Sequence, residues 1–372
     1  MNIHVVGAGI SGLAFARAMT LRGQSIHVHE AAPQLQSIGG GLIIPPNSAR
    51  ILERLGVADV LDTHGIPLRD MQIIDAGGRV LYHRDQREVA RTHGRGLYAI
   101  SRTALHRALA ASLPDGTVHT GRRLLGLTQD AHQVAVTFTD GTRVNAGLLV
   151  DAEGRVSRAR DLLMPEARLV STGQIAYRGL TSIDPLPEYH DSFVEFWGRG
   201  HRFTFFRIAP GVTYWHAPIH TAPRQTRRKT DLLREYRDFP DQVIELIAHT
   251  QEDHIHPVEL SDIDPLPHWH RGRAVLIGDA AHATTPNLGQ GAAQAIQDAD
   301  ALAQALCSGL PLSLALPAYQ RAREGTANSM VQQSRHLGQI GQLRGPARLL
   351  RNAALKLSPE LARQRIETFY DG

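Results

Sequence analysis

Apolar positions along the chain first recur with the two periods of alternating strand and helix. IHVVGAG (residues 3–9) is a short apolar run ending in glycine, SGLAFARAMTLRG (11–23) carries apolar residues at helical spacing with Gly23 as a stop, and SIHVHE (25–30) returns to strand. Together they predict a βαβ unit of about 30 residues with a right-handed crossover. SARILERLG (48–56) predicts another helix, MQIIDAGGRVLYHR (71–84) a hairpin turning at Gly77 and Gly78, and TALHRALAASL (103–113) a further helix. QVAVTFTDGTRVNAGLLVD (133–151) predicts a hairpin turning at Asp140 and Gly141. From about residue 170 to 270 the pattern changes to short aromatic strands, SFVEFW, RFTFFRIAP and VTYWHAPI, joined by Gly and Pro, which predicts an antiparallel sheet. Helical TDLLREYRDF and a strand AVLIG from Ala274 follow, and everything after Gly289 has helical character.

The pattern predicts an α/β protein in which a Rossmann-like domain is interrupted by an antiparallel β-sheet domain and finished by helices. The expected boundaries are 1–70, 96–168 and 271–330 for the nucleotide domain, 71–95 and 169–270 for the sheet domain, and 331–372 for the C-terminal helices. At 372 residues, the chain is long enough for one large or two interleaved cores. A net charge of +4 with Lys and Arg scattered among acids argues against nucleic acid as a partner. Cys307 is the only cysteine, so an internal disulfide and a dithiol relay are excluded. Strand-like sequence starts directly after Met1, and no apolar run reaches the length of a membrane span, so the expectation is a cytoplasmic protein without stable membrane insertion. Monomer and homodimer are both compatible with the sequence.

GAGISG places Gly7, Gly9 and Gly12 in GxGxxG spacing between a strand and a helix. Gly7 permits a tight turn, Gly9 lets a pyrophosphate approach the backbone, Gly12 lets helix pack on strand, and the helix start offers N–H donors to the anion. Glu30 ends the second strand, where an acid would meet a ribose hydroxyl. A second glycine-rich helix start, GDAAHATTPNLGQGAAQ, follows the strand at 274. It lacks the third glycine of a dinucleotide motif. Asp279 is placed to reach a ribityl or ribose hydroxyl, Pro286 shapes the loop, and the backbone N–H groups of Gly289, Gln290, Gly291 and Ala292 open a helix that would stabilise negative charge on a reduced flavin ring. On the aromatic strands Arg202 and Thr204 share one face, as do Tyr214 and His216, and these are candidate substrate contacts. Phe203, Phe205, Phe206 and Trp215 are expected in the core. The HxH pairs at His27/His29, His254/His256 and His268/His270 lack a third ligand cluster and are read as ordinary surface or layer residues rather than metal sites, and His282 as a structural hydrogen bonder.

With these motifs in order, the chain resembles the class A, single-component FAD-dependent aromatic hydroxylases. The resemblance is carried by GAGISGLAFA with Glu30, SIGGGLIIPPNSARILERLG (37–56), ISRTALHRAL (100–109), AYRGL (176–180) and GDAAHATTPNLGQGAAQAIQDA. It implies a p-hydroxybenzoate hydroxylase fold with a GR2-type FAD domain, FAD as cofactor and NADPH or NADH as co-substrate. It also implies a small aromatic or heteroaromatic substrate hydroxylated with O2 through a C4a-hydroperoxyflavin. Arg102 falls where the family places an FAD-contacting arginine, and Gly154 lies in the family's middle signature; the catalytic candidates are Pro286, Tyr214, His216 and Arg202. That signature is altered here to DAEGRVSRAR (151–160), with Asp151 in place of a glycine and Glu153 in place of an aspartate, while Gly154, Ser157 and Arg160 stay in register. EFWGRGHRF (195–203), TPNLGQGAA and the tail with RLLRN look most like the branch containing 2-alkyl-4-quinolone hydroxylase. The alternatives are a flavin-dependent reductase or dehydrogenase of the same fold, and a non-catalytic flavin or ligand binder.

Overall fold

Four runs of apolar residues, Ile3–Val6, Ile26–His29, Leu148–Asp151 and Ala274–Leu276, are buried almost throughout, as strands covered on both faces must be. They form the centre of a parallel sheet in a computed structural model that describes residues 1–35, 39–220 and 227–357. Gln36, Ser37 and Ile38, part of which belongs to the SIGGG segment, and the tail beyond Leu357 lie outside the described residues. The sheet order runs from the short edge strand His270–Arg271 through Ala274–Leu276, Leu148–Asp151, Ile3–Val6 and Ile26–His29 to Val118–His119. All pairs are parallel except that of the His270–Arg271 edge.

The expected hairpin over 133–151 is shorter than its pattern suggested. Val134–Phe138 pairs with Arg143–Ala146 across the Asp140–Gly141 turn, but Leu148–Asp151 leaves the hairpin after Gly147 and enters the parallel sheet. Its unbroken burial, in contrast to the alternation before it, is the physical difference between the two strands.

The seven-stranded sheet has the order Ile255–Ile263, Leu169–Thr181, Val212–His220, Arg202–Ala209, Ser192–Trp197, Asp70–Asp75, Val80–Asp85. It is antiparallel except where Ser192–Trp197 runs parallel to Asp70–Asp75. Period-two alternation divides its residues. Tyr177, Phe196, Phe203, Phe205 and Trp215 pack on one face against Leu232, Tyr236 and Leu246 of two covering helices, while Arg202, Thr204, Phe206, Tyr214 and His216 point the other way. Phe206 is also buried in a core cluster, with Ile43 and Tyr214 and apart from the one that holds Phe203, Phe205 and Trp215, and it lines the cavity. The chain closes with a helix Leu312–Gly341 and a further helix Gly345–Leu357. The boundary expected at 330/331 falls inside the first of these, which runs unbroken across it. Among the described residues no helix is long and apolar enough to cross a membrane.

Candidate active site

Strand register brings three motifs that are far apart in sequence to one edge of the parallel sheet. Val6 pairs with Asp151 and Asp151 with Leu276, so the loops that follow, GAGISG, AEG and IGD, emerge side by side at the carboxyl ends of adjacent strands. The packing there sorts the three glycines. Gly7 has φ +98°, and a Cβ on it would lie 2.3 Å from the Ala152 carbonyl oxygen; one on Gly12 would lie 2.0 Å from that of Gly7. A Cβ on Gly9 would meet no protein atom within 4 Å, and Gly9 lines a cavity of about 260 Å³. Gly7 and Gly12 are thus glycine for packing, whereas Gly9 leaves space open to the cavity.

The residues at this edge fit the phosphate and ribose end of FAD. The start of the helix Ile10–Thr20 faces the cavity through Ile10 and Ser11, whose buried Oγ has no hydrogen-bond partner. The Glu30 carboxylate accepts the N–H of Ala8 at 2.9 Å and of Ala32 at 2.8 Å, which fixes it beneath the glycine loop and leaves lone pairs for a ribose hydroxyl. Arg102, Gly154, Asp279, Pro286, Gly289, Gly291 and Ala292 all line the cavity. Burial pushes the Asp279 carboxyl up, and the charges of His282 and Arg102 pull against that shift. Burial lowers the Arg102 guanidinium, with Asp279 opposing. Gln290 is the exception among the expected loop residues, since it lines a second, adjoining cavity.

The loop that follows Asp279 is held by a buried ion network. Asp298, fully buried in the helix Gly291–Leu306, accepts from His282 Nε2 at 2.5 Å, Arg323 Nε at 2.8 Å and the Gly278 N–H at 2.8 Å. Burial alone would raise its pKa, but the two cationic partners hold it at about 2. His282 is therefore a structural hydrogen bonder. Pro286–Leu288 forms a single 3₁₀ turn that ends on Gly289 at φ +67°, and the helix begins two residues later.

The opposite wall of the cavity is the polar face of the seven-stranded sheet. Arg178 pairs in register with His216 and His216 with Thr204, while Tyr214 pairs with Phe206, so two adjacent rungs present these side chains together. Tyr214 is held as a neutral phenol by burial, against the charges of Arg178 and Arg102. Burial, with Arg178 and Arg202 adding to it, lowers His216 well below its usual value, so it is a neutral imidazole whose Nε2 has no protein partner. Arg178 was not singled out from sequence. It lies on the strand Leu169–Thr181, its buried Nε is unpartnered, and the same alternation that selected His216 would have found it. Arg202 is 1% exposed and already occupied: it forms an ion pair with Glu195 at 3.0 Å and donates to Asn287 Oδ1 at 2.9 Å and the Leu337 carbonyl at 3.1 Å. It braces the Pro286–Gly289 turn against the long helix.

In the altered middle signature, Asp151 accepts from Ser157 Oγ at 2.5 Å and the Glu153 N–H at 3.0 Å, and Glu153 accepts the Ala159 N–H at 2.8 Å. Glu153 thus turns to the start of the helix Arg158–Leu163, leaving Ala152 and Gly154 at the cavity. Burial raises both carboxyls, and the Glu153 charge adds to the rise at Asp151; the Ser157 hydroxyl opposes it at Asp151 and the Ala159 N–H opposes it at Glu153. Of the two readings for His27 and His29, layer and not surface is the one that holds. They stack with His4 and His119 on one face of the parallel sheet, at ring separations of 4.9 to 5.6 Å.

Comparison with known proteins places this geometry. The FAD binding domain family matches residues 1–334. The chain is 32% identical over 375 residues to 2-heptyl-3-hydroxy-4(1H)-quinolone synthase of Pseudomonas aeruginosa, covering 98% of this chain and 96% of that protein. It is 30% identical over 344 residues to an FAD-dependent urate hydroxylase of Klebsiella pneumoniae, covering 90% and 89%. The crystal structure of Klebsiella pneumoniae HpxO complexed with FAD and uric acid superposes with a TM-score of 0.91 at 26% identity, covering 100% of this chain and 97% of that one.

Proposed function

The chain belongs to the FAD-binding-domain family, whose relatives include FAD-dependent aromatic hydroxylases, and on that premise we propose that it is an NAD(P)H-dependent FAD monooxygenase acting on a small aromatic or heteroaromatic compound. When bound, FAD would supply the redox chemistry, taking electrons from NAD(P)H and delivering one oxygen atom of O2 from its C4a position to the ring. Gly9, Ser11 and Glu30 would hold the adenosine and pyrophosphate end, and Arg102, Asp279 and the Gly289–Ala292 backbone the ribityl and ring end. The N-terminus of the helix Gly291–Leu306 favours negative charge beside it.

The observation that carries this reading is the single cavity with the cofactor loops on one wall and Arg178, Tyr214 and His216 on the other. Arg178 donates to a ring oxygen and favours its anionic form; His216 and Tyr214 orient the ring as neutral hydrogen-bonding groups. Phe193 and Phe206 supply apolar cover that keeps water from the reacting centre. Pro286 shapes the turn beside that centre. Arg202 acts as a positioning residue, through Asn287.

A ligand screen of phenols, hydroxylated N-heterocycles, 4(1H)-quinolones and purines, scored by stimulated NADH or NADPH oxidation and by product mass raised by one oxygen, tests the proposal. Stimulation with an oxygenated product supports it. Holoenzyme that oxidises NAD(P)H at one rate with every compound and forms no oxygenated product contradicts it.

A further inference from the structure

Behind the Pro286–Ala292 loop lies a second cavity of about 620 Å³. It meets the first across Ile43, Phe193 and Asn287, which line both. Its walls are mainly apolar and come from elements remote in sequence: Leu68 and Leu97 of a three-stranded sheet, Ile73 and Trp197 of the seven-stranded sheet, and Leu337 and Ile340 of the helix Leu312–Gly341. Polar side chains line it too, among them Asp70, Glu195, Gln333 and His336, and two of its buried amides lack partners. Gln86 is 1% exposed with neither side-chain amide atom bonded to protein, and Gln290 is 7% exposed with its Oε1 unbonded. Buried polar groups are nearly always paired, so two such amides in the wall of one cavity mark groups that a ligand completes. Gln290, between Gly289 and Gly291 of the first cavity, stands at the junction.

We propose that this chamber is the far part of the substrate site, taking a mainly apolar extension carried by the ring that is hydroxylated. The inference rests on the hydroxylase reading above. The ring lies against Arg178, Tyr214 and His216, the extension passes between Ile43 and Phe193, and Gln86 bonds one carbonyl or hydroxyl along it. The apolar walls disfavour a compact, wholly polar ring system as the best ligand, because such a ligand leaves most of the chamber surface uncovered.

The test uses FAD-loaded enzyme and 2-alkyl-4(1H)-quinolones with chains lengthened one methylene at a time, with binding read from the flavin absorbance change and so independent of turnover. At about 0.8 kcal/mol per buried methylene, affinity should rise about fourfold per carbon until the chamber is filled. Ile340→Trp, at a position that lines the chamber and not the ring site, should flatten the series for long chains and leave the shortest member and the flavin content unchanged. Keto analogues walked along the best chain should gain about tenfold at one position, and Gln86→Leu should remove that gain. A series flat in chain length, or binding by no member, overturns the chamber's role; keto analogues that bind alike to wild type and Gln86→Leu at every position overturn that of Gln86. Steep binding without oxygenated product would leave the chamber standing and count against the hydroxylase reading, and a flat series with oxygenated product would do the reverse.

Discussion

Gly9 sits at φ −76° and ψ −175°, a backbone conformation open to alanine, and a methyl group there meets no protein atom within 4 Å. Gly9→Ala should therefore leave the apoprotein as stable as wild type, or more stable by about 0.4–1 kcal/mol through the lower entropy of its unfolded chain. The same methyl projects into the cavity, at the place proposed for the FAD pyrophosphate. Moving the anion off the helix start loses one or two charge-assisted hydrogen bonds at about 1.5–3 kcal/mol each, which weakens FAD binding by about 10- to 100-fold or more. Gly12→Ala is the contrast: its Cβ would lie 2.0 Å from the Gly7 carbonyl oxygen, so the loop must move and the apoprotein itself loses about 1–3 kcal/mol. Chemical unfolding of the apoproteins and titration with FAD, followed by flavin fluorescence quenching, separate the two effects. FAD binding by Gly9→Ala with wild-type affinity would refute the assignment of this space to the cofactor, and an apoprotein as unstable as Gly12→Ala would refute the packing argument.

Other consequences concern the ion network, acid stability and the substrate wall. The shift of Asp298 from 3.8 to about 2 corresponds to roughly 2–3 kcal/mol of stability, present above the unfolded pKa and lost as pH falls through the folded one. Asp298→Asn should lower the unfolding temperature at neutral pH by several degrees and weaken FAD retention, because the Gly278 turn loses its anchor; an unchanged melting curve and flavin content would contradict this. Burial, reinforced by the charges of neighbouring histidines, lowers His4 to about 4 and His29 to about 3. The unfolded chain takes up these protons near pH 6.5 and the folded chain only at the lower values, so stability is full above about pH 6.5 and falls on acidification. Near pH 5 the loss should be about 4 kcal/mol, measured by urea unfolding, and His4→Gln/His29→Leu should remove most of that pH dependence. Loss of the His216 hydrogen bond in His216→Leu should reduce kcat/KM by about 5- to 150-fold. His216→Gln should retain most activity, and neither variant should change the pH profile near 6.5, since the imidazole is already neutral; a lost acidic limb would assign it a proton-transfer role instead.

Much of the cofactor edge was legible because it depends on local rules. A strand ending in GAGISG can bury its helix only with glycine at positions 7 and 12, and an acid after the next strand falls beneath the loop. The alternation of Arg202, Thr204 and Phe206 against Phe203 and Phe205 was equally legible once strand period was applied; Phe206 is buried as expected, but in a separate cluster that also lines the cavity. What was missed depends on register and on contacts between distant elements. Arg178 joins the cavity wall because its strand pairs with Val212–His220 so that it stands opposite His216. Asp298 looks like one polar residue on a helix until the fold brings His282 and Arg323 to it. The engagement of Arg202 with Glu195 and Asn287, and the chamber beyond them, arise where the long C-terminal helix closes on the sheet, and no periodic pattern encodes that approach. Leu148–Asp151 shows the converse: Gly147 and the switch from alternating to continuous burial mark a new strand, but the hairpin pattern before it hid the break.

The most direct test of the account is turnover under isotopically labelled O2 with an aromatic compound that stimulates NAD(P)H oxidation. The account predicts product carrying one labelled oxygen atom per molecule, with the second atom recovered in water and product formed in proportion to coupled NAD(P)H. Product whose added oxygen comes from water, or NAD(P)H oxidation that yields only hydrogen peroxide with every ligand that binds, would contradict it.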